Sequence, residues 1–450
     1  MDRENVVFPL IRGMWLREKG EPIPSFSSQL MVYFGFFLIV CTIPINHTNT
    51  IESAGVILAL VGIIGCRAVR NDWKINSNPL NVPILFVIAV ILLSLLSAYN
   101  LSYTLNQLWS EFLTYTVLFY AVADFCRERK IIYRFLFLFF LANLLALCLF
   151  FYQLYLNDFS LACFQLSLAD KKYFSKGLPA ESTYFLFISS FYYTALYYLK
   201  QKRFFLLAGT LLAINLYLLY LSYQRAGILA MGVVVIVPLF FWRQIVAKRI
   251  SIVVSLTLIL LVLLVIVTPI KSKFIYRNWS ETISGQFVDN PDRNDSIQLR
   301  LGAQRFFLQY FRHHLFTGVG YGKSNLRKID ESSSRPCPGG AIHAHNVFFD
   351  FALQTGVQGL AAFLLLVFAQ FRVAVQGLKQ STELFDRFVF TGALCYMSGF
   401  WVRMQFDDVY RSGTALAYWM IMAITVSLSL IVRSGQKIDK GPCPPSSLTV

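Results

Sequence analysis

His345 and Asn346 end a long polar stretch and stand immediately before an apolar run that opens Val347-Phe348-Phe349. Imidazole is the side chain best matched to taking a proton near neutral pH. A helix beginning just after it favours the neutral, basic form. His343 has the same chemistry two residues earlier. The plainer reading of His345 is a capping or interface histidine. Two arginines carry complementary chemistry. Arg225 interrupts the apolar stretch 203–242, which is long enough for two membrane spans joined by the tight turn Ser222-Tyr223-Gln224-Arg225. An arginine at that depth faces a polar cavity or an anion, or else snorkels to lipid phosphates as an anchor. Arg300 lies in the polar stretch itself, where Arg305 and Arg312 fit the same role or that of a solvated face. A guanidinium keeps its charge at any relevant pH and grips phosphate through a planar fork. Two of them suit the clamping of a diphosphate that departs as a leaving group. Asp407 and Asp408 are candidates to orient His345 or bind sugar, beside the alternative of pairing with Arg403 and Arg411.

No metal is expected. His343-Ala344-His345 with His313-His314 matches no standard zinc spacing, and the eight cysteines include no CxxC or CxxH. Cys163 and Cys337 would both lie in outer loops, where pairing is conceivable and an idle Cys337 thiol is the simpler reading.

The elements that position these residues are membrane helices. The chain is 56% hydrophobic and 14% charged, with mean hydropathy +0.56, and its repeated apolar runs have the length a bilayer demands. Roughly twelve spans are expected, over 28–45, 52–66, 79–98, 108–126, 131–155, 182–199, 203–221, 226–242, 250–269, 346–370, 385–402 and 414–432. The expectation is an all-α polytopic membrane protein, one membrane domain over 1–450. Spans one to nine fall in 28–269, a large loop in 270–345, spans ten to twelve in 346–432, and a tail in 433–450.

The net charge of +16 is distributed in alternate connections rather than on one patch, which argues against nucleic acid. Basic residues mark the N-terminal segment (Arg3, Arg12, Arg17, Lys19), then Arg67 and Arg70, Arg127 to Lys130, Lys200 to Arg203, Arg243 to Arg249, Arg372 and Lys379, and the tail from Arg433. The connections 46–51 and 99–107 have none. By the positive-inside rule both termini face the cytoplasm and the large loop faces the other side, the periplasm of a bacterial inner membrane. Residues 1–27 show no signal-peptide pattern, so the first span would serve as insertion signal. Within the loop, 271–295 is rich in turn residues. Ser296–His314 has apolar residues near helical spacing with arginines between, which predicts an amphipathic helix on the membrane surface. Gly318-Val319-Gly320-Tyr321-Gly322 ends it, and 329–341 and 438–450 read as unstructured.

Three segments, taken in order, resemble the O-antigen ligase/polymerase family. Ser222-x-x-Arg225-Ala226-Gly227 resembles its turn between two spans, with Tyr223-Gln224 inserted as a departure. Arg300 followed by Gly318-Val319-Gly320 resembles its arginine-helix-GxG segment. His345-Asn346, nine residues, Gly356, two residues and Gly359 resembles its histidine and glycine pattern. The likeness covers about 200–370; the first half matches only in hydropathy. It implies a membrane glycosyltransferase of GT-C type and a metal-independent, inverting transfer without cofactor. The donor would be a polysaccharide on undecaprenyl diphosphate, the acceptor a sugar hydroxyl of lipid A–core. It further implies that His345 deprotonates or orients the acceptor hydroxyl, or hydrogen-bonds phosphate, while Arg225 and Arg300 hold the diphosphate. Asn346, Gly356, Gly359, His343 and Asp407 would support them. An O-antigen polymerase shares the pattern and differs in acceptor. A protein O-oligosaccharyltransferase is a third relative, and a lipid-linked sugar transporter a different class that predicts inverted repeats and broken helices.

Overall fold

The computed structural model describes residues 23–45, 48–71, 77–160, 178–222, 224–241, 296–332, 343–407, 410 and 412–439. Within them the chain is helical in the order α1 Ile23–Thr42, α2 Asn49–Arg70, α3 Asn81–Leu93, α4 Leu101–Gln107, α5 Thr114–Phe125, α6 Arg129–Leu156, α7 Leu178–Tyr198, α8 Lys202–Leu221 and α9 Arg225–Phe240. There follow α10 Ser296–His313, α11 Lys323–Ser332, α12 Val347–Gln380, α13 Leu384–Arg403 and α14 Ser412–Asp439. Eleven of the expected apolar runs coincide with helices; the ninth, 250–269, lies outside the described residues. Among the described residues five helices are long and apolar enough to cross a membrane: α2, α6, α8, α12 and the first part of α14. Three shorter apolar helices accompany them, in α1, in α3 with the 3-10 turn Ser94–Ser97, and in α9.

Several boundaries differ from the sequence reading. The second run is longer than 52–66: α2 has 22 residues and begins at Asn49. The fourth begins earlier, since α4 and α5 are joined through the π-helical stretch Leu108–Leu113. The tenth runs on to Gln380. Helix continues into the tail as far as Asp439, so 438–439 are not unstructured as expected.

The bundle is built around α14, 89% of whose apolar window is buried. A helix apolar on every side belongs inside such a bundle. The large-loop elements form a second, smaller core. Ala303 and Phe307 of α10, Val319, Leu326 and Ile329 of α11, and Ala344 close on Leu353 of α12. Helix α10 is amphipathic as expected, but it packs one apolar side onto protein and leaves Leu301 and Leu308 exposed. Helix α11 went unread: residues 329–332, expected as loop, are its last turn, and Leu326 and Ile329 make its only apolar contact with the core.

Candidate active site

Helix α12 is broken near its start, and the break decides what the loop can do. Gly356 has φ +80° and ψ 179°, a conformation essentially open only to glycine. In an unbroken helix the carbonyls of Leu353 and Gln354 would accept from residues 357 and 358. Here they accept from the loop instead, from Val319 N (3.1 Å) and Gly320 N (3.0 Å). The released N–H of Val357 donates to Leu315 O at 2.8 Å. Gln354 Oε1 also accepts from Gly322 N at 2.7 Å. The glycines of 318–322 permit this close docking: all three have positive φ, and a Cβ on Gly318 would collide with the Gln354 carbonyl. The bonds lost by breaking the helix are thus regained from the loop. The sequence showed no broken helix, the feature expected of a transporter; α12 is one, and the chain's own loop fills the break. Gly359, the other glycine of the pattern, is buried one turn on, where a Cβ would strike its own Thr355 side chain.

His345 stands just before the first turn of α12. Asn346 caps the helix, its Oδ1 accepting from Phe349 N at 3.1 Å, so the capping role considered for His345 falls to its neighbour. Two bonds tie this start to the end of α13: Val347 N to Met404 O at 3.1 Å and Asn346 Nδ2 to Gln405 Oε1 at 3.0 Å. Asp350, buried in the first helical turn, accepts from Ala344 N at 2.7 Å and so fastens the turn that bears both histidines. Gln304 of α10 donates to Ala344 O at 3.3 Å. His345 itself takes φ +54°, an uncommon backbone for a residue with a side chain.

These restraints set His345 Nδ1 3.7 Å from Asp407 Oδ1. That is longer than a hydrogen bond, and its approach directs the opposite ring nitrogen, Nε2, away from Asp407. Arg403, 1% exposed, stands 3.5 Å from the other oxygen of Asp407 and donates to Gln224 Oε1 at 3.3 Å. Gln224 precedes Arg225, the first residue of α9, so the turn at 222–225 reaches the same cluster. Arg225 is exposed at that turn. The charge of Arg300, on α10, is felt at both Arg403 and Asp407. Burial pushes the Asp407 carboxyl up, but the facing His345 and the charges of Arg403 and Arg300 outweigh it and hold it well below the usual carboxylate range.

His343 Nδ1 accepts from His345 N at 3.1 Å and also lies 3.4 Å from Asp350 Oδ2. A lone pair serves the first contact and an N–H the second, so one atom cannot serve both at once. The two imidazole rings stand 4.1 Å apart. His314 stacks on Tyr310. Among the described residues no group of three or more His, Cys, Asp or Glu is placed to hold a metal. Asp408, Arg411, Cys163 and Cys337 lie outside the described residues.

Structure therefore joins His345, His343, Asn346, Asp407 and the charge of Arg300, with Arg225 beside Gln224 at the edge. Sequence reasoning passed over Asp350, Gln224, Gln304 and Gln405. Only Asp350 left a signal: an acid four residues past an Asn cap, inside an otherwise apolar turn, needs a buried partner.

No curated protein gives a significant match. Residues 208–364, from within α8 through α9, α10 and α11 into α12, match a family described as O-antigen ligase. That span, about a third of the chain, contains Arg225, Arg300, the broken helix and His345.

Proposed function

We propose that this membrane protein is an O-antigen ligase: it transfers a polysaccharide from undecaprenyl diphosphate to a sugar hydroxyl of lipid A–core. The family domain supports ligase- or polymerase-type chemistry. The observation that carries the mechanism is His345 set 3.7 Å from Asp407, beside the buried Arg403. The acceptor oxygen attacks the anomeric carbon from the face opposite the leaving group. The bond from that carbon to the diphosphate breaks, and both electrons leave with the diphosphate. The hydroxyl proton passes to His345 Nε2, while the Asp407 carboxylate favours the imidazolium that results. Arg225 and Arg300 hold the diphosphate, whose departing charge needs stable cations rather than an acid. Arg403 keeps Asp407 ionised and in place. The site faces the periplasm, in a layout of about twelve spans with both termini cytoplasmic.

Complementation in two hosts tests this, one lacking its ligase and rebuilt with the core of the source organism, one lacking its polymerase. Restored long-chain lipopolysaccharide in the first, lost with His345→Ala, supports the ligase. A ladder restored only in the second keeps the chemistry and exchanges the acceptor. Rescue of neither, with the protein well expressed, removes both.

A further inference from the structure

Gln224 belongs to the pair that departs from the family's turn before Arg225. It occupies the N-cap of α9, and its carbonyl accepts from Gly227 N at 2.8 Å. A side-chain oxygen in that place commonly serves the exposed N–H groups of the helix end. Gln224 makes no such bond. Its Oε1 accepts instead from Arg403 Nη2 at 3.3 Å. That fixes which way the amide faces. A guanidinium has only donors, so the amide must turn its oxygen to Arg403 and its NH2 away. Arg403 is 1% exposed, and among the described residues its side chain has one other acceptor, Asp407 Oδ2, 3.5 Å from the same nitrogen. Its buried Nε has none. A flipped amide would set donor against donor and take away one of two acceptors from a buried cation. Gln224 Nε2 is thereby held without a partner among the described residues, on a half-buried side chain next to the exposed Arg225.

We infer that Gln224 Nε2 donates to the oxygen-bearing substituent on C2 of the donor sugar, the carbon next to the one attacked. The inference rests on the proposed transfer from a lipid-linked glycosyl diphosphate, and holds for either acceptor. Location selects the atom. On one side Gln224 adjoins Arg225, to which the proposed mechanism gives the diphosphate on C1. On the other, Gln224 Oε1 and Asp407 Oδ2 meet on one nitrogen, and Asp407 faces His345. The amide therefore lies between the leaving group and the base, close to C1 rather than to distant sugars. Two oxygens flank C1 in the ring. The ring oxygen gains positive charge in the transition state and repels a donor, which leaves the oxygen on C2. A neutral amide suits a neutral hydroxyl or acetamido oxygen, while phosphate oxygens go to guanidiniums. In glycosyl cleavage a hydrogen bond at that position strengthens as the transition state forms. Gln224 is thus a specificity-determining residue, and Arg403 positions it.

The probes are glucosyl farnesyl diphosphate and its 2-deoxyglucosyl counterpart, titrated into the full chain in detergent with no acceptor present. Wild type should bind the 2-hydroxyl probe about tenfold tighter, the worth of one good hydrogen bond. Gln224→Met, of similar length, should bind the two about equally, because the hydroxyl has lost its donor. A merely structural Gln224 predicts otherwise: the variant would weaken both probes alike or lower the melting midpoint, and the ratio would stand. An unmoved ratio overturns the inference alone. Equal binding of both probes by wild type also overturns it, and needs no variant to fold. A wild type that binds neither probe removes this inference and the lipid-linked donor together.

Discussion

Replacing Gly356 by alanine is the sharpest test of how the site is held. The backbone at φ +80° and ψ 179° is costly for any side chain, about 1–3 kcal/mol in such regions. Space adds to this, because a Cβ would lie 2.8 Å from the Phe316 carbonyl and must push the docked loop. Straightening α12 is no escape. It would return the 353 and 354 carbonyls to the helix and strand the N–H groups of Val319 and Gly320, both buried. Each stranded donor costs about 1–3 kcal/mol, so two of them exceed the strain they would relieve. The alanine variant should therefore keep the break, lose about 2–3 kcal/mol of stability, and shift the loop. Because His345 rides on the same half-helix, transfer per folded molecule should fall about 100-fold, the usual penalty of a displacement near 1 Å. The assay is transfer by purified protein normalised to monodisperse enzyme, with the melting midpoint recorded alongside. Gly232→Ala on α9 is the control, since a Cβ there meets nothing within 4 Å; it should be neutral or gain about 0.5–1 kcal/mol. Wild-type melting and wild-type turnover in Gly356→Ala would refute the claim that the break positions the chemistry.

His345→Ala should abolish transfer while membrane abundance stays normal; retained turnover would remove it as the base. Arg225→Lys and Arg300→Lys should each impair transfer, because lysine keeps the charge and loses the fork; full activity in both would end the diphosphate clamp. Asp407→Asn should lower turnover about 100-fold and reduce abundance, since Arg403, 1% exposed, loses its countercharge. The sign of its pH dependence follows from its depressed pKa. Its stabilisation is complete above the ordinary aspartate value near 4 and is lost only as pH falls below that toward the folded value. The wild type should thus show no stability change from this group between about pH 5 and 8; a melting transition that Asp407→Asn removes from that window would contradict the assignment. Asp350→Asn should raise KM and lower kcat together by loosening the 343–345 turn, and Asp350→Glu should not restore either fully; wild-type kinetics in Asp350→Asn would show that Ala344 needs no such tether.

What the sequence disclosed, it disclosed through hydropathy and charge. Apolar runs of bilayer length are dictated by the solvent they face, and eleven of them reappear as helices. The start of α12 was legible from the apolar run that opens there, but its cap was not: the sequence offered His345, and Asn346 satisfies the backbone donor. The break at Gly356 was hidden for the opposite reason. The run from 346 to 370 stays apolar enough on average to read as one span despite Gln354-Thr355-Gly356 and Gln358-Gly359, and only the loop docked against it reveals why the helix parts. Helix α11 was missed because its core contact is only Leu326 and Ile329, one apolar pair at helical spacing in ten polar-rich residues. The pairing of His345 with Asp407 crosses 62 positions, from the start of α12 to the end of α13; the sequence offered it only as one alternative beside Asp408 and a pairing with Arg403 or Arg411, and no local pattern decides among them.

The two halves of α12 answer to different surroundings, and this explains why the proposed site lies before the break rather than beyond it. Beyond Gly356 the helix belongs to the bundle, its register set by apolar packing. Before Gly356 it exchanges backbone bonds with the loop, and through Val347 and Asn346 with the end of α13. A straight helix would fix His345 to the packing of the membrane bundle alone. A broken one lets the polar loop and the α13–α14 turn determine the position of the histidine instead. Those are also the segments that supply Arg300 and Asp407. His345, Asp407 and Arg300 are then referenced to one another through a few hydrogen bonds, while the bundle beneath is free to satisfy the lipid.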